Sequence, residues 1–597
     1  MTFWNRLRFW IRKPQNVILL VLAVLLTFLT VVPLISLMRD TFIVHSSEIM
    51  SVRGSKLGDF TLFHWRKVFL DGERSYRLFY QPFFNTVIVS LASSIIAILL
   101  GGAVAWLVTR TDIKAKGFIS TVFIFPYIMP SWTLAMAWLN FFRNGLTGGA
   151  RGLVTALTGW VPPTWFSFGA FPISVVLGLH YSPFAYILIG GILKNMDANL
   201  EEAALILKAS RAKILLRINL PIVMPAILST FLLVFSSSMS AFAVPAFLGT
   251  PVRYQVLTTQ LFRTLNGLNP GYGYIMALVM IVVGLGILAV NQWYVGKRKS
   301  FITVTGKSSN ISYMRLKNLR IPLTVVLLLL VVLIAIVPLL SFLIESFIMA
   351  PGDYRPSNFT TLFWVGEGRE DIGGGEPGIL INPSVYQAFW NSIRLSVAVA
   401  LVAGTIGALA GYAIVRARGT KLSSFVNNLS FFPYLLPSMA FGAIYLSMFA
   451  QPFLVLPSLY GTFALLVLIG SVKYLPFASR AGINAMLQLS NELEEAAIIM
   501  GVPWRKRMTH ILIPIQKSSF LSGYFLPFIS CMRELALFVL LVTPANRVIT
   551  TLLLQYNEKG WNQWANAINL LIIIVVLVFN TLINRLTGAS IDKGIGS

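Results

Sequence analysis

Charge is scarce in this chain. Only 11% of its 597 residues are charged, with 21 Asp and Glu against 47 Lys and Arg. A soluble globular domain carries about 25% charged residues, so a soluble fold is a poor fit. Cysteine is nearly absent: Cys531 stands alone. One cysteine excludes a disulfide framework and a cysteine-based metal site within one chain. Its place in an apolar run suits a small packing residue. Four scattered histidines with no metal spacing give little support to a metalloenzyme or a polymer-export catalyst.

Apolar length is abundant. Hydrophobic residues make up 56% of the chain, and the mean hydropathy is +0.77. A membrane span needs about 20 apolar residues. Twelve stretches qualify: 17–38, 83–109, 118–142, 172–193, 222–249, 274–295, 322–348, 388–415, 424–450, 460–484, 518–542 and 565–586. The expected fold class is therefore all-α, a polytopic membrane protein of about twelve transmembrane helices. Pro126, Pro183, Pro433 and Pro476 fall inside spans and should kink them. The first span follows a basic stretch, "RLRFWIRK". Its full spanning length and the lack of a small-residue cleavage site argue for a retained helix over a signal peptide.

The net charge of +26 raises the question of a nucleic-acid partner. With the N-terminus placed in the cytoplasm, the inner segments hold roughly twice the Lys and Arg of the outer loops, the positive-inside pattern. That distribution accounts for the basic excess through the membrane, with no nucleic acid. It puts both termini of this multi-pass membrane protein in the cytoplasm.

The chain repeats itself. "LEEAALILKASRAKILLRINLP" (200–221) and "LEEAAIIMGVPWRKRMTHILIP" (493–514) share nine identities in 22 positions. "PYIMP" (126–130) matches "PYLLP" (433–437), "VVPLIS" (31–36) matches "IVPLLS" (336–341), and Arg110 and Arg416 each close the second span of their half. Matches in the same order, with six spans per half, indicate a parallel repeat about an axis along the membrane normal. We expect a first half at 1–295 (core 84–295, connecting loop 195–221). A basic linker follows at 296–321, then a second half at 322–597 (core 388–586, loop 485–514). The linker holds "GKSS" (306–309), but position 301 is Phe where a phosphate loop needs Gly, so the chain carries no nucleotide motif.

Each copy of the 22-residue stretch reads as a helix–turn–helix outside the bilayer. Asn199 with Glu202 can form a capping box. Ser490 or Asn491 can start the second copy, Gly501 can end its first helix in a left-handed turn, and Pro503 suits the next first turn. A lone copy would pass for a connector lying on the lipid. Two copies at matching positions call for a cytoplasmic partner with two equivalent sites.

The motif "EAA", a glycine four residues after the second alanine, and a later "LP"-like pair resemble the coupling loop of ABC importer permeases. The second copy carries "EAAIIMG" (495–501) and "IP" (513–514). The first carries "EAALILK" (202–208) and "LP" (220–221), with Lys208 in place of the glycine. The resemblance implies the type I ABC importer transmembrane fold. It also implies two copies of a cytoplasmic ABC ATPase, which bind ATP and Mg, and an extracytoplasmic substrate-binding protein. The chain itself would be a transport subunit without a cofactor. By resemblance, the ATPase contacts are Glu201, Glu202, Ala203, Ala204, Lys208 and Pro221, with Glu494, Glu495, Ala496, Ala497, Gly501 and Pro514. A lysine in a left-handed turn costs about 1 kcal/mol more than glycine, so the first loop is expected to turn differently or to bind less tightly.

The fused form, "FAVPAFLGTP" (242–251) and "MRELALFVLLVTP" (532–544) resemble the ferric-iron-type permeases, whose relatives also carry thiamine, phosphonates, polyamines and sugar phosphates. Ionisable residues inside spans are pathway candidates by default: His180, Lys473, Arg533 and Glu534, with Ser237 and Ser240 opposite. Structural pairing between helices is the alternative for Arg533 and Glu534. Arg394 and Glu345 sit near outer ends, where snorkelling suffices. A bare ferric ion favours oxygen ligands, and only Glu534 lies deep, so an anion or a complexed ion competes. The glycine-rich acidic loop "GEGREDIGGGEPG" (366–378) reads as a surface loop or a docking element. A gradient-driven secondary transporter is the rival class; it would need more deep carboxylates and no repeated cytoplasmic loop.

Overall fold

The computed structural model describes residues 4–5, 10–50, 52, 54–146, 150–196, 204, 206–296, 314–452 and 457–587. Long helices dominate, and the described residues form only isolated β-bridges. The first half contains α1 (Pro14–Asp40), α2 (Gln81–Arg110), α3 (Lys116–Ile128), α4 (Ser131–Phe142) and α5 (Ala170–Asn195). It continues with α6 (Leu220–Met239), α7 (Ala243–Leu248), α8 (Leu257–Leu265) and α9 (Pro270–Gly296). The second half opens with α10 (Arg320–Val331) and α11 (Val337–Ser346), joined by a π-helical turn, then α12 (Pro383–Arg416), α13 (Lys421–Leu435), α14 (Ser438–Phe449) and α15 (Phe463–Leu487). It closes with α16 (Asn491–Ile499), α17 (Trp504–Arg507), α18 (Lys517–Met532), α19 (Ile549–Glu558) and α20 (Asn562–Thr587).

Nine helices among the described residues are long and apolar enough to cross a membrane, and eleven spans result if each of two bent pairs counts as one. The expected spans 118–142 and 424–450 are those pairs: α3 meets α4 at 96° and α13 meets α14 at 107°. The cause is local. Met129 and Leu436 precede Pro130 and Pro437, and a residue before proline is pushed out of the α region. Both are extended, at ψ 153° and 135°. The expected span 518–542 also stops early, because α18 ends at Met532 with Arg533 as its cap. In the first half α6 ends at the equivalent Met239.

Broken helices in a membrane need internal partners for their freed backbone groups. The carbonyls of Ala241 and Glu534, just past the two breaks, accept from the hydroxyls of Thr258 and Thr550, each at 2.8 Å. These four residues are repeat equivalents.

The first helix of each half crosses to the other half. α1 packs on α12, α13 and α14, while α11 packs on α4. Pro33 leaves the Leu29 carbonyl without its helical donor, and the Tyr445 hydroxyl of α14 supplies one at 2.7 Å. Cross-half contacts repeat: Ser447 to Ser36 at 3.2 Å, Asn140 to Ser341 at 3.4 Å. Glu345 is buried in this seam, 3.9 Å from Arg143 and bonded to the Tyr354 hydroxyl. It does not snorkel as expected, because a cation from the other half reaches it. Arg394 is exposed, its guanidinium 4.4 Å from the Phe463 ring centroid.

Candidate functional site

Two places hold the residues singled out in the sequence. The first is the pair of repeated loops that resemble coupling loops. Ser490 caps α16 by accepting from the Glu492 amide. Gly501 follows at φ 72°, and the Val502 amide closes back on the Ala497 carbonyl at 3.0 Å. The first loop closes in the same way: Ala209 donates to Ala204 at 3.0 Å, with Lys208 at φ 57°. The expectation of a different turn is therefore corrected; the closing bond holds Lys208 in the left-handed region. Glu201, Glu202 and Ala203 lie outside the described residues. Pro221 and Pro514 each follow a π-helical turn, Leu215–Asn219 and Met508–Leu512, which steps over the missing proline N–H.

The two adjacent glutamates of the second loop do different things. Glu494 is buried, 2.6 Å from Arg416 and 3.4 Å from Arg507, and accepts from the Tyr412 hydroxyl at 2.8 Å. It fastens α16 to the end of α12. Glu495 and Ala496 are exposed, and Ala497 packs inward. The loop tips are apolar: Ile206 and Leu207 are 81% and 82% exposed, Ile499 and Met500 86% and 73%. Contiguous large apolar side chains left in water mark a contact surface. Glu494 was named from the sequence as an ATPase contact, but its anchoring role was not legible there; nor were these tips, although repetition at equivalent positions was the available signal.

The second place is a central cavity of about 320 Å³ between the halves. His180, Ser237, Ser240, Lys473, Arg533 and Glu534 all line it. The bend in each half explains why. In "PYIMP" the Pro126 carbonyl would accept from residue 130, but Pro130 has no N–H; "PYLLP" has the same defect at Pro433. His180 Nδ1 donates to Pro126 O at 2.8 Å, and Lys473 Nζ to Pro433 O at 3.1 Å and Leu436 O at 2.5 Å. Arg533 Nη1 donates to the carbonyls of Tyr127 and Ile128, both at 2.9 Å. The deep cations thus brace the buried, negative ends of α3 and α13. Arg533 and Glu534 form no ion pair with each other among the described residues. The Glu534 carboxylate accepts from the Tyr474 hydroxyl at 2.7 Å and the Leu537 amide at 3.0 Å.

Sequence reasoning missed the aromatic lining. Tyr127, Tyr181, Tyr434 and Tyr474 all face the cavity. Tyr127 pairs with Tyr434, and Tyr181 with Tyr474, in the repeat. Identity between halves at positions that need not be tyrosine for packing was the missed signal.

The sequence matches the family described as "Binding-protein-dependent transport system inner membrane component" over residues 93–300 and again over 400–593. The chain belongs to that family. It is an ABC importer permease, a transport subunit of the inner membrane with the type I fold repeated in one chain. Members of the family work with an ATPase and a substrate-binding protein. The permease is 26% identical over 501 residues to the ferric transport system permease protein FbpB of Actinobacillus pleuropneumoniae, covering 83% of this chain and 69% of that one. A putative ferric transport system permease protein FbpB 1 of Haemophilus influenzae is 27% identical over 78% of this chain and 70% of its own. The molybdate/tungstate transport system permease protein WtpB of Pyrococcus abyssi is 23% identical over 36% of this chain and 78% of its own. Among solved structures, a bacterial ABC transporter involved in import of the acidic polysaccharide alginate aligns with TM-score 0.34 at 17% identity, over 42% of this chain and 87% of that one.

Proposed function

We propose that this permease carries ferric iron, travelling with an anion, through the central cavity. The observation that carries the reading is the oxygen-rich lining, in which four tyrosines share the cavity with Glu534 and Tyr474 donates to its carboxylate, while the cations are turned toward backbone carbonyls. Ferric iron is a hard ion that favours oxygen donors, and the similarity to ferric permeases supports the same substrate. Arg533 and Lys473 leave positive charge at the cavity wall, which suits an accompanying anion.

In this reading both termini are cytoplasmic. Two copies of an ATPase seat on the loops around Glu202, Ala203, Ala204, Lys208 and Pro221 and around Glu495, Ala496, Gly501 and Pro514. Ala497 packs beneath the second loop, while Glu494 holds that loop in place. The ATPases bind ATP and Mg and perform the hydrolysis; the permease holds no cofactor. Closure of the ATPases moves the two loops and, through them, the halves.

The second reading is the same machinery importing an oxyanion such as a phosphonate or sugar phosphate, and it is favoured by Arg533 and Lys473. Thiamine import has no such observation behind it. The test is ATP hydrolysis and solute uptake by the permease–ATPase complex in lipid vesicles, with the binding protein loaded with ferric ion, a sugar phosphate or a phosphonate. Stimulation and uptake with the ferric form alone are expected, and Glu534→Gln should reduce uptake. Stimulation only by an organic phosphate would replace the substrate; transport that follows an ion gradient without ATP would overturn the importer.

A further inference from the structure

On the face opposite the coupling loops, the first half carries a cleft of about 650 Å³ between the start of α2 and α8. Arg74, Arg77, Arg253 and Arg263 line it and are exposed. Its one acid, Glu73, is paired with Arg77 at 3.3 Å. Arg74, Arg253 and Arg263 make no ion pair among the described residues.

The repeat shows what belongs there. Asn85 donates to the Gln255 carbonyl and Asn391 to the Arg547 carbonyl, both at 2.9 Å. Thr86 and Ser392 hydroxyls accept from the amides of Leu257 and Ile549, both at 2.8 Å. These paired contacts superpose α8 on α19, and so Thr264 and Tyr272 on Tyr556 and Trp564. In the second half that place is filled by the acidic loop. Glu376 accepts from the Tyr556 hydroxyl and from Asn382 Nδ2, and Trp564 Nε1 donates to the Pro377 carbonyl at 2.9 Å. In the first half Thr264 and Tyr272 border an open cleft walled with arginine.

We propose that this cleft receives an acidic segment of the extracytoplasmic binding protein, whose carboxylate seats among Arg74, Arg253 and Arg263 as Glu376 seats in the second half. The proposal rests on the orientation given above. A protein carboxylate is favoured over a lipid headgroup because the equivalent occupant is itself a polypeptide carboxylate. The cleft then gives the binding protein a polarity: its acidic side faces the first half, and the docked complex has one orientation. Complementary charge of this kind sets encounter rate and register more than raw affinity.

The test uses the permease–ATPase complex in nanodiscs of phosphatidylcholine, with the binding protein encoded beside the permease. Reversing both charges, Arg253→Glu with Arg263→Glu, should weaken binding about tenfold or more and abolish stimulated ATP hydrolysis, leaving basal hydrolysis unchanged. Arg263→Lys keeps the charge and should stay within about threefold of the parent. Unchanged affinity in the double reversal, with normal binding to the parent, overturns the cleft as a docking place. Loss confined to nanodiscs containing phosphatidylglycerol assigns the cleft to lipid headgroups and overturns it as well. Failure of the parent to bind the protein at all would sink the importer orientation, and this proposal with it.

Discussion

His180 and Lys473 occupy equivalent positions in the two halves and donate to equivalent carbonyls, Pro126 O at 2.8 Å and Pro433 O at 3.1 Å. A ring nitrogen and an ammonium thus do the same work, because a second proline four residues on leaves each carbonyl without a helical donor. Replacing Lys473 by Met should strand two buried carbonyls at the cost of about 1–3 kcal/mol each. Lys473→His should recover part of the loss, since histidine already serves in the other half. Thermal unfolding of the purified permease in detergent reads this; a Lys473→Met variant as stable as the parent would remove the bracing role.

The paired glutamates of the second loop should separate in experiment. Glu494→Gln breaks a buried, three-partner anchor and should cost about 3 kcal/mol, with ATP hydrolysis poorly tied to uptake. Glu495→Lys changes an exposed charge, so the fold should keep its thermal stability while ATPase co-purification weakens. Equal loss of stability in both variants would contradict the division between anchor and contact.

Lys208 offers a gain. Its left-handed turn favours glycine, so Lys208→Gly should stabilise the first loop by about 1 kcal/mol. Slower amide exchange over residues 206–214 is the expected sign. Faster exchange would mean that the lysine side chain holds the loop.

On the opposite face, Glu48 and His64 are both fully buried and meet at 2.7 Å; Glu48 also accepts from the Gly271 amide at 3.0 Å. Burial alone would raise the carboxyl, but the bond and charge of His64 outweigh it, and the net shift is down from 4.5. A lowered carboxylate stabilises the fold above its unfolded value, and that contribution is lost as pH falls through the lower folded value. Glu48→Gln should therefore reduce the melting temperature at pH 7, and the gap to the parent should close below pH 4.5. A gap independent of pH would show that the carboxylate charge is not involved.

The repeat, most of the spans and the two helix–turn–helix loops were legible because they are local: hydropathy, proline placement and a 22-residue stretch each announce themselves. The bends were half-legible. "PYIMP" and "PYLLP" were visible as matches, but the missing N–H at the second proline matters only once a partner is placed beside the orphaned carbonyl. Lys473 and His180 were picked for lying deep in spans, which is sound, yet depth alone did not say that their protons point at backbone. Tyr127, Tyr181, Tyr434 and Tyr474 escaped because tyrosine is common in membrane helices. The Glu494 anchor escaped because Arg416 lies 78 positions away on another helix.

The Leu29–Tyr445 bond spans 416 residues of chain. During synthesis α1 leaves the ribosome well before α14, the helix that satisfies its kink. Until then α1 must wait in lipid or beside the insertion machinery with a bare carbonyl, and α4 must likewise wait for α11. Assembly therefore finishes late, and in steps. A ribosome stalled after the first half would present a bundle with a misplaced outer helix, a natural substrate for membrane quality control.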